Sequence, residues 1–322
     1  MFYFYKFLYK KFTSFKRLCG VKDILEVKFN VLIENIYIFS FSFLLMKQRA
    51  FNVLGNVALV NFPFGTKESG KKKFAKELLI KHNNIKTVLE KSHNFSGRLR
   101  KQTTKYLGGV KTKEVLYKEN GCEFRFNLDE TYFSPRLANE RKEISDLMKK
   151  GEEILVMFAG VSPFPIVIAK NSGVKKIYSN ELNRKANEYG EENIVRNKLQ
   201  DKIELFPGDI KKVALKFREA GKTFDVIVMP RPQLKDSFLD LAFMLSRPKT
   251  RIYYYDFCKI EDKEKIVEKI KKEAKEFGVG VRINKVKDAG EIAPYKVRLR
   301  VDFEIVGKKG FFGRLFGFFH SS

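Results

Sequence analysis

The sequence predicts an α/β protein: a Rossmann-type domain with a mostly parallel, doubly wound sheet, preceded by small α+β modules. Three observations carry this. From about residue 138, apolar strand-like runs alternate with helical stretches, the pattern of a parallel sheet with crossover helices. One of those runs, ILVMF (154–158), ends in Ala159-Gly160, a tight turn that opens a helix. Upstream, short alternating runs flank Gly55-Asn56 and Asn120-Gly121, both hairpin signals.

Taken in order, residues 1–45 stand apart. MFYFYKFLYKKFTSFKRL is aromatic and basic, and VLIENIYIFSFSFLL (31–45) is apolar but carries Glu34 and Asn35. The run is shorter than the roughly 20 apolar residues that span a bilayer, and no small-residue cleavage site follows it. Three readings compete: a membrane-surface segment, a degenerate anchor, or an over-extended gene start with initiation at Met46. Recognisable patterning begins just after Met46, which favours the third. Residues 46–110 then read as a small N-terminal module. They hold a hairpin about Gly55-Asn56, a charged loop (65–73), a helix (73–83), a strand or helix edge (85–92) and a basic stretch, SGRLRKQTTKYLGG. Residues 111–137 form a linker module around the Asn120-Gly121 hairpin. Residues 138–306 form the Rossmann-type domain. Its helices are expected at 139–151, 163–172, 183–198, 210–219, 234–246 and 260–277. Its strands are expected at 154–158, 175–181, 203–206, 224–230, 251–257, near 279–287 and at 296–306. A basic, aromatic tail (307–322) closes the chain.

Composition narrows function. The 322 residues are 44% hydrophobic, enough for real cores. The formal net charge of +26 costs self-repulsion unless a polyanion neutralises it; nucleic acid is the first candidate and an anionic membrane surface the second. Cys19, Cys122 and Cys258 lie far apart with no metal-ligand spacing, and His82, His93 and His320 form no ligand pair. No metal site is expected, and a reduced, cytoplasmic compartment fits best.

Two motifs carry chemistry. After the FAG turn, the next strand ends in Glu181, where a carboxylate can take both ribose hydroxyls of a nucleoside. Asp209, in GDI, closes the third strand where an adenine-facing acid sits. There is neither GxGxxG nor GxxxxGK[ST], so a dinucleotide or nucleoside triphosphate is the weaker reading. The second motif is YFSPRLANER (132–141), which sets Arg136, Glu140 and Arg141 near a helix start; guanidinium is the natural partner of phosphate or of a developing oxyanion.

Together, YFSPRLANER, MFAGVSPFPI and the following pre-helix acid resemble the archaeal and eukaryotic type of tRNA (guanine-37-N1)-methyltransferase. A related branch transfers an aminocarboxypropyl group in wybutosine synthesis. NIKTVLEKSHNFSGRLR, YKENGCEFRFNLDETYFSPR and RIYYYDF match as well, so the resemblance covers about residues 49–306. It implies S-adenosylmethionine as cofactor and tRNA as partner; no stable membrane association is expected, and nothing in the sequence demands more than a monomer. It implies a cofactor site of Phe158, Ala159, Gly160, Val161, Pro163, Phe164, Glu181, Leu182, Asp209 and Pro230. It places Arg141 at the guanine O6, Glu181 at the position of the base, and Pro232 at the later proline of the catalytic loop. Glu181 stays open between base and ribose ligand. Arg136, Arg98, Arg100, Lys101 and Lys105 are the expected tRNA contacts, with Lys111 and Lys113 beside them. Three positions depart from the family pattern. Pro230 replaces an Asn, Val156 an acid and Ser162 a second Gly.

Overall fold

The computed structural model describes residues 51–92 and 103–308. The expectations for residues 1–45, for Arg98, Arg100 and Lys101, and for the tail beyond 308 lie outside the described residues.

The chain opens on a four-stranded sheet, in the order β1 (Phe51–Leu54), β2 (Val57–Val60), β3 (Thr87–Lys91), β4 (Thr104–Gly109). Strands β2 and β3 are parallel, and helix α1 (Glu68–Lys81) provides the crossover. The helix begins within the stretch expected as a charged loop. Its apolar positions come later, but Glu68 in the first turn complements the helix dipole. α1 buries Phe74, Ala75 and Leu78 on the sheet, with Phe62 edge-on to Phe74 at 5.8 Å.

The second module is the hairpin β5 (Glu114–Glu119) and β6 (Cys122–Asn127). Asn120 and Gly121 both have positive φ, as a two-residue turn of this kind requires. Asn56 ties the two modules: its carboxamide oxygen accepts from Leu116 N at 2.7 Å. Gly55 is required beside it. Its φ is +54°, and a Cβ there would fall 1.7 Å from the Leu116 carbonyl oxygen.

The large sheet has seven strands. They are β7 (Glu153–Val156), β8 (Lys176–Glu181), β9 (Ile203–Pro207), β10 (Phe224–Met229), β11 (Ser246–Lys259), β12 (Val279–Ala293) and β13 (Lys296–Lys308). Their spatial order is β12-β13-β11-β10-β7-β8-β9. The pairs from β11 to β9 are parallel; β13 is antiparallel to β11 and to β12. Helices α2 (Ala138–Asp146), α3 (Pro163–Asn171), α4 (Arg184–Arg196), α5 (Ile210–Glu219), α6 (Leu239–Met244) and α7 (Lys263–Phe277) complete the domain. The central strands are apolar on both faces because helices cover both. The helix expected over 234–246 is reduced to α6, and β11 starts at Ser246 rather than 251. The carbonyls of Leu234 and Asp236 are taken by the Arg231 guanidinium, so they cannot enter a helical ladder. Among the described residues, no helix is long and apolar enough to cross a membrane.

Helix α4 docks the hairpin by imitating a strand. Asn193 accepts from Arg125 N at 2.7 Å and donates to Arg125 O at 3.1 Å. Asn197 does the same with Glu123, at 3.0 and 2.7 Å. The edge of β6 is thus satisfied by two carboxamides spaced one helical turn apart. Replacing Asn193 by Ala should leave the Arg125 peptide groups unpaired. The expected cost is about 1–3 kcal/mol in urea unfolding; an unchanged midpoint would contradict this role.

Candidate active site

From β7 the chain winds outward through β8 and β9, then returns to β10 on the other side of β7. The crevice at the carboxyl ends of β7 and β10 is therefore the topological switch point, where open α/β sheets bind ligands. The loop entering it is built from left-handed residues: Phe158, Gly160 and Ser162 have φ of 59°, 60° and 63°. Phe158 and Ser162 each carry roughly 1–3 kcal/mol of backbone strain. The strain is held by specific bonds. Gly160 N donates to Glu181 Oε2 at 2.8 Å, and Ala159 N donates to the Asn180 carbonyl at 2.8 Å. The Ser162 hydroxyl meets that of Ser179 at 3.2 Å. Gly190 of α4 makes room for it, since a Cβ there would sit 2.9 Å from Ser162 Oγ. Ser162 in place of a second Gly is thus accommodated by a glycine on a neighbouring helix. Val156 is fully buried in β7 and contributes packing only.

The crevice encloses about 880 Å3, counted to its open mouth. Glu181, Leu182, Asp209 and Ile210 are among the residues that line it. The other Glu181 oxygen, Oε1, accepts from Asn183 N at 2.7 Å. Burial pushes the Glu181 carboxyl above its ordinary value, against the opposing pull of the Asn183, Gly160 and Leu182 amides. Asp209 caps α5 by accepting from Lys211 N at 2.9 Å. Phe158, Gly160, Pro230, Pro232 and Phe238 line the crevice as well. So do Tyr132 and Arg298.

Several expected site residues stand elsewhere. Ala159, Val161, Pro163 and Phe164 do not line the crevice. They are buried beneath the loop, because α3 is apolar on all faces and is packed all round. Arg141, expected at O6, does not reach the crevice either. Its guanidinium forms a two-pronged pair with Glu119 and donates to the Ser134 carbonyl at 3.0 Å. The rings of Phe133 and Phe164 flank it at 5.1 and 5.8 Å. Glu140 turns the other way, to Arg300 and Lys287, both at 2.7 Å. Burial alone would raise the neighbouring Glu143 carboxyl, but Arg300, Lys287 and Lys285 outweigh it and bring it down to about 2. The YFSPRLANER charges thus weld α2 to the hairpin and to β12–β13. Arg136 is exposed and outside the crevice. Lys105 is exposed and pairs with Glu68 at 3.0 Å, and Lys113 pairs with Asp129.

Sequence reasoning missed part of this lining. Arg298 lies in VRLRVDF, where alternation predicts an ordinary half-buried strand. Its partner on β11, Phe257, is known only from the register. Phe238 has a φ of 60° and packs edge-on against Phe158 at 5.1 Å. Arg231, two residues into the β10 loop, is 2% exposed. Its terminal nitrogens bind Asp256 and the carbonyls of Leu234 and Asp236, at 2.6 and 2.7 Å for the latter two. It braces the loop from within. Its Nε has no partner among the described residues.

The family model for the TRM5/TYW2 methyltransferase domain matches residues 115–282. The chain belongs to the TRM5/TYW2 methyltransferase family. It is similar to the tRNA (guanine(37)-N(1))-methyltransferase Trm5b of Pyrococcus abyssi, 29% identical over 80% of this chain and 74% of that protein. The crystal structure of that relative superposes with a TM-score of 0.70, covering 80% and 75% of the two chains. The tRNA (guanine(37)-N(1))/4-demethylwyosine(37)-methyltransferase Taw22 of Nanoarchaeum equitans is 40% identical over 47% of this chain and 49% of its own length. A complex of aTrm5 and tRNALeu matches at 27% identity and a TM-score of 0.68, covering 80% and 72% of the two chains. The chain therefore spans about three quarters of one curated relative and about half of the other. The methyltransferase domain of the family contains every crevice-lining residue named above except Arg298.

The Arg141–Glu119 pair generates a prediction. The two side chains are 1% and 4% exposed. Replacing Arg141 by Ala strands a buried carboxylate, an expected loss of about 3–5 kcal/mol in urea unfolding. Adding Glu119→Gln should recover part of it. A variant as stable as the parent would show that the pair contributes no such anchor.

Proposed function

We propose that this chain transfers a methyl group from S-adenosylmethionine to N1 of guanine 37 of tRNA, working as a cytoplasmic monomer. The observation that carries the reading is the switch-point crevice. It offers a carboxylate at the end of β8 and an acid at the end of β9, in one chain, within a fold whose relatives act at this position. When bound, the cofactor supplies a methyl group on a positive sulfur. The protein's task is positioning: holding that methyl in line with N1, and favouring loss of the N1 proton.

In this reading Glu181 is the ribose ligand rather than the base. It lines the same crevice as Asp209, and its two oxygens are already oriented by the Gly160 and Asn183 amides. Asp209 faces the adenine. Pro230 and Pro232 shape the entrance for the base, with Arg231 keeping their loop preformed. Arg136 and Lys105, both exposed, remain available to RNA phosphates. The +26 charge of the whole chain suits a polyanionic partner.

A second reading is favoured by one observation. The 40%-identical Nanoarchaeum relative carries both guanine and 4-demethylwyosine in its name, and Pro230 lacks the side-chain amide of the usual Asn. A tricyclic base at position 37 is the corresponding second substrate.

Incubating unmodified tRNA with the full chain and the cofactor, then digesting it to nucleosides, tests the reading. The expected product is 1-methylguanosine at position 37, a gain of about 14 Da. A gain of about 101 Da would assign the aminocarboxypropyl branch instead, and no change in any G37 tRNA would defeat the enzyme reading. The Glu181 role has its own test. The ionised carboxylate is the form that accepts two hydroxyls, and its value in the free protein is raised. Affinity for S-adenosylhomocysteine should therefore fall on acidification, starting above the ordinary 4.5 of a glutamate. In Glu181→Gln it should be weak and flat over the same range. A parental pH response in that variant would remove Glu181 from the ribose.

A further inference from the structure

Among the described residues, Arg298 is a cation without a counter-ion. It lies at the start of β13, opposite Phe257 of β11, at the same end of the sheet as the crevice. It is 8% exposed and lines the crevice wall. Its guanidinium stacks over Phe257 at 5.2 Å and donates one long hydrogen bond, 3.5 Å, to the Tyr132 hydroxyl. Among the described residues it makes no ion pair. The contrast with the other buried arginines is direct. Arg141, Arg231 and Arg300 each hold at least one carboxylate. A guanidinium taken out of water without an anion is costly, and a bound anion removes that cost.

Tyr132 links this cation to the cofactor turn. Its carbonyl lies against Gly160, 3.4 Å from where a Cβ would stand, while its hydroxyl meets Arg298. Arg298 is therefore one tyrosine away from the turn, in the wall of the same crevice that Glu181 and Asp209 line. A nucleoside held by those two acids shares that crevice with Tyr132 and Arg298. In S-adenosylmethionine the 5′ substituent is an amino acid, whose single negative group is its carboxylate.

We propose that Arg298 binds the carboxylate of the cofactor's amino-acid arm. The assignment rests on the methyltransferase reading, and it adds a specificity-determining residue that selects the whole amino-acid-bearing cofactor over nucleosides that lack it. A charge-assisted hydrogen bond in such a site corresponds to a change in affinity on the order of 10- to 100-fold.

The test compares two probes by calorimetry on the full chain: S-adenosylhomocysteine, which carries the carboxylate, and 5′-methylthioadenosine, which does not. The parent should prefer S-adenosylhomocysteine. Arg298→Gln should weaken that probe on the order of 10- to 100-fold while leaving methylthioadenosine within about twofold. Arg298→Lys should retain part of the preference, because it keeps the charge without the fork. If Arg298→Gln does not fold, a lysine variant that binds both probes as the parent does, with no loss of preference, overturns the proposal. Equal weakening of both probes overturns it, because the arginine would then be holding the crevice rather than the carboxylate. Unchanged affinity for both, with weakened tRNA binding, also overturns it and assigns the anion to an RNA phosphate. A parent that binds neither probe would sink the methyltransferase reading itself, an outcome distinct from all of these.

Discussion

The bond from Gly160 N to the Glu181 carboxylate is the contact on which the site depends. It joins the end of β7 to the end of β8 and holds a loop that has three left-handed residues in five. A backbone in that region does not persist unless its surroundings over-determine it. Here the neighbours do so from several directions. Asn180 ties β8 to β9 through Phe206 O and Gly208 O, at 2.7 and 3.0 Å. Asn183 fixes the second Glu181 oxygen and reaches Glu130 O at 2.8 Å. Gly190 leaves space for the Ser162 hydroxyl. The carboxylate that stabilises the loop also lines the crevice, and burial keeps it from ionising as freely as an exposed one.

A second constraint is the way charge is used inside the protein. The YFSPRLANER segment passes between three modules, and its ionic groups serve as fasteners. Arg141 takes the hairpin through Glu119, and Glu140 takes β13 through Arg300. Arg300 also binds Glu143 and Asp302. A network of this kind is weak evidence for stability in itself, since each ion gives up hydration. It does define geometry: Tyr132 and Leu137, on the crevice wall, lie just before these fasteners in sequence. Arg231 works in the same manner on the β10 loop, through Asp256 and the Leu234 and Asp236 carbonyls.

Much of the fold was legible. Alternating periodicities located five parallel strands and their helices to within a few residues, because each strand is a short apolar run with a clear turn at its end. The Gly55-Asn56 and Asn120-Gly121 hairpins were legible for the same reason, through turn chemistry. The helix expected over 234–246 was not, because the Arg231 side chain removes carbonyls from it, and periodicity does not register such a tertiary claim. At the site, Glu181, Asp209, Gly160 and the β10 prolines were legible from strand ends. Arg141 was misplaced because a guanidinium beside a helix start looks the same whether it meets substrate or a buried Glu119, 22 residues away in the chain. Arg298 was invisible, since only the β11–β13 register brings it to the crevice.

The most direct test of this account is a crystal structure of the full chain with S-adenosylhomocysteine. The account predicts the nucleoside in the switch-point crevice, with both ribose hydroxyls on the Glu181 carboxylate and the adenine beside Asp209. A nucleoside bound elsewhere, or one in the crevice whose ribose makes no contact with Glu181, would contradict it.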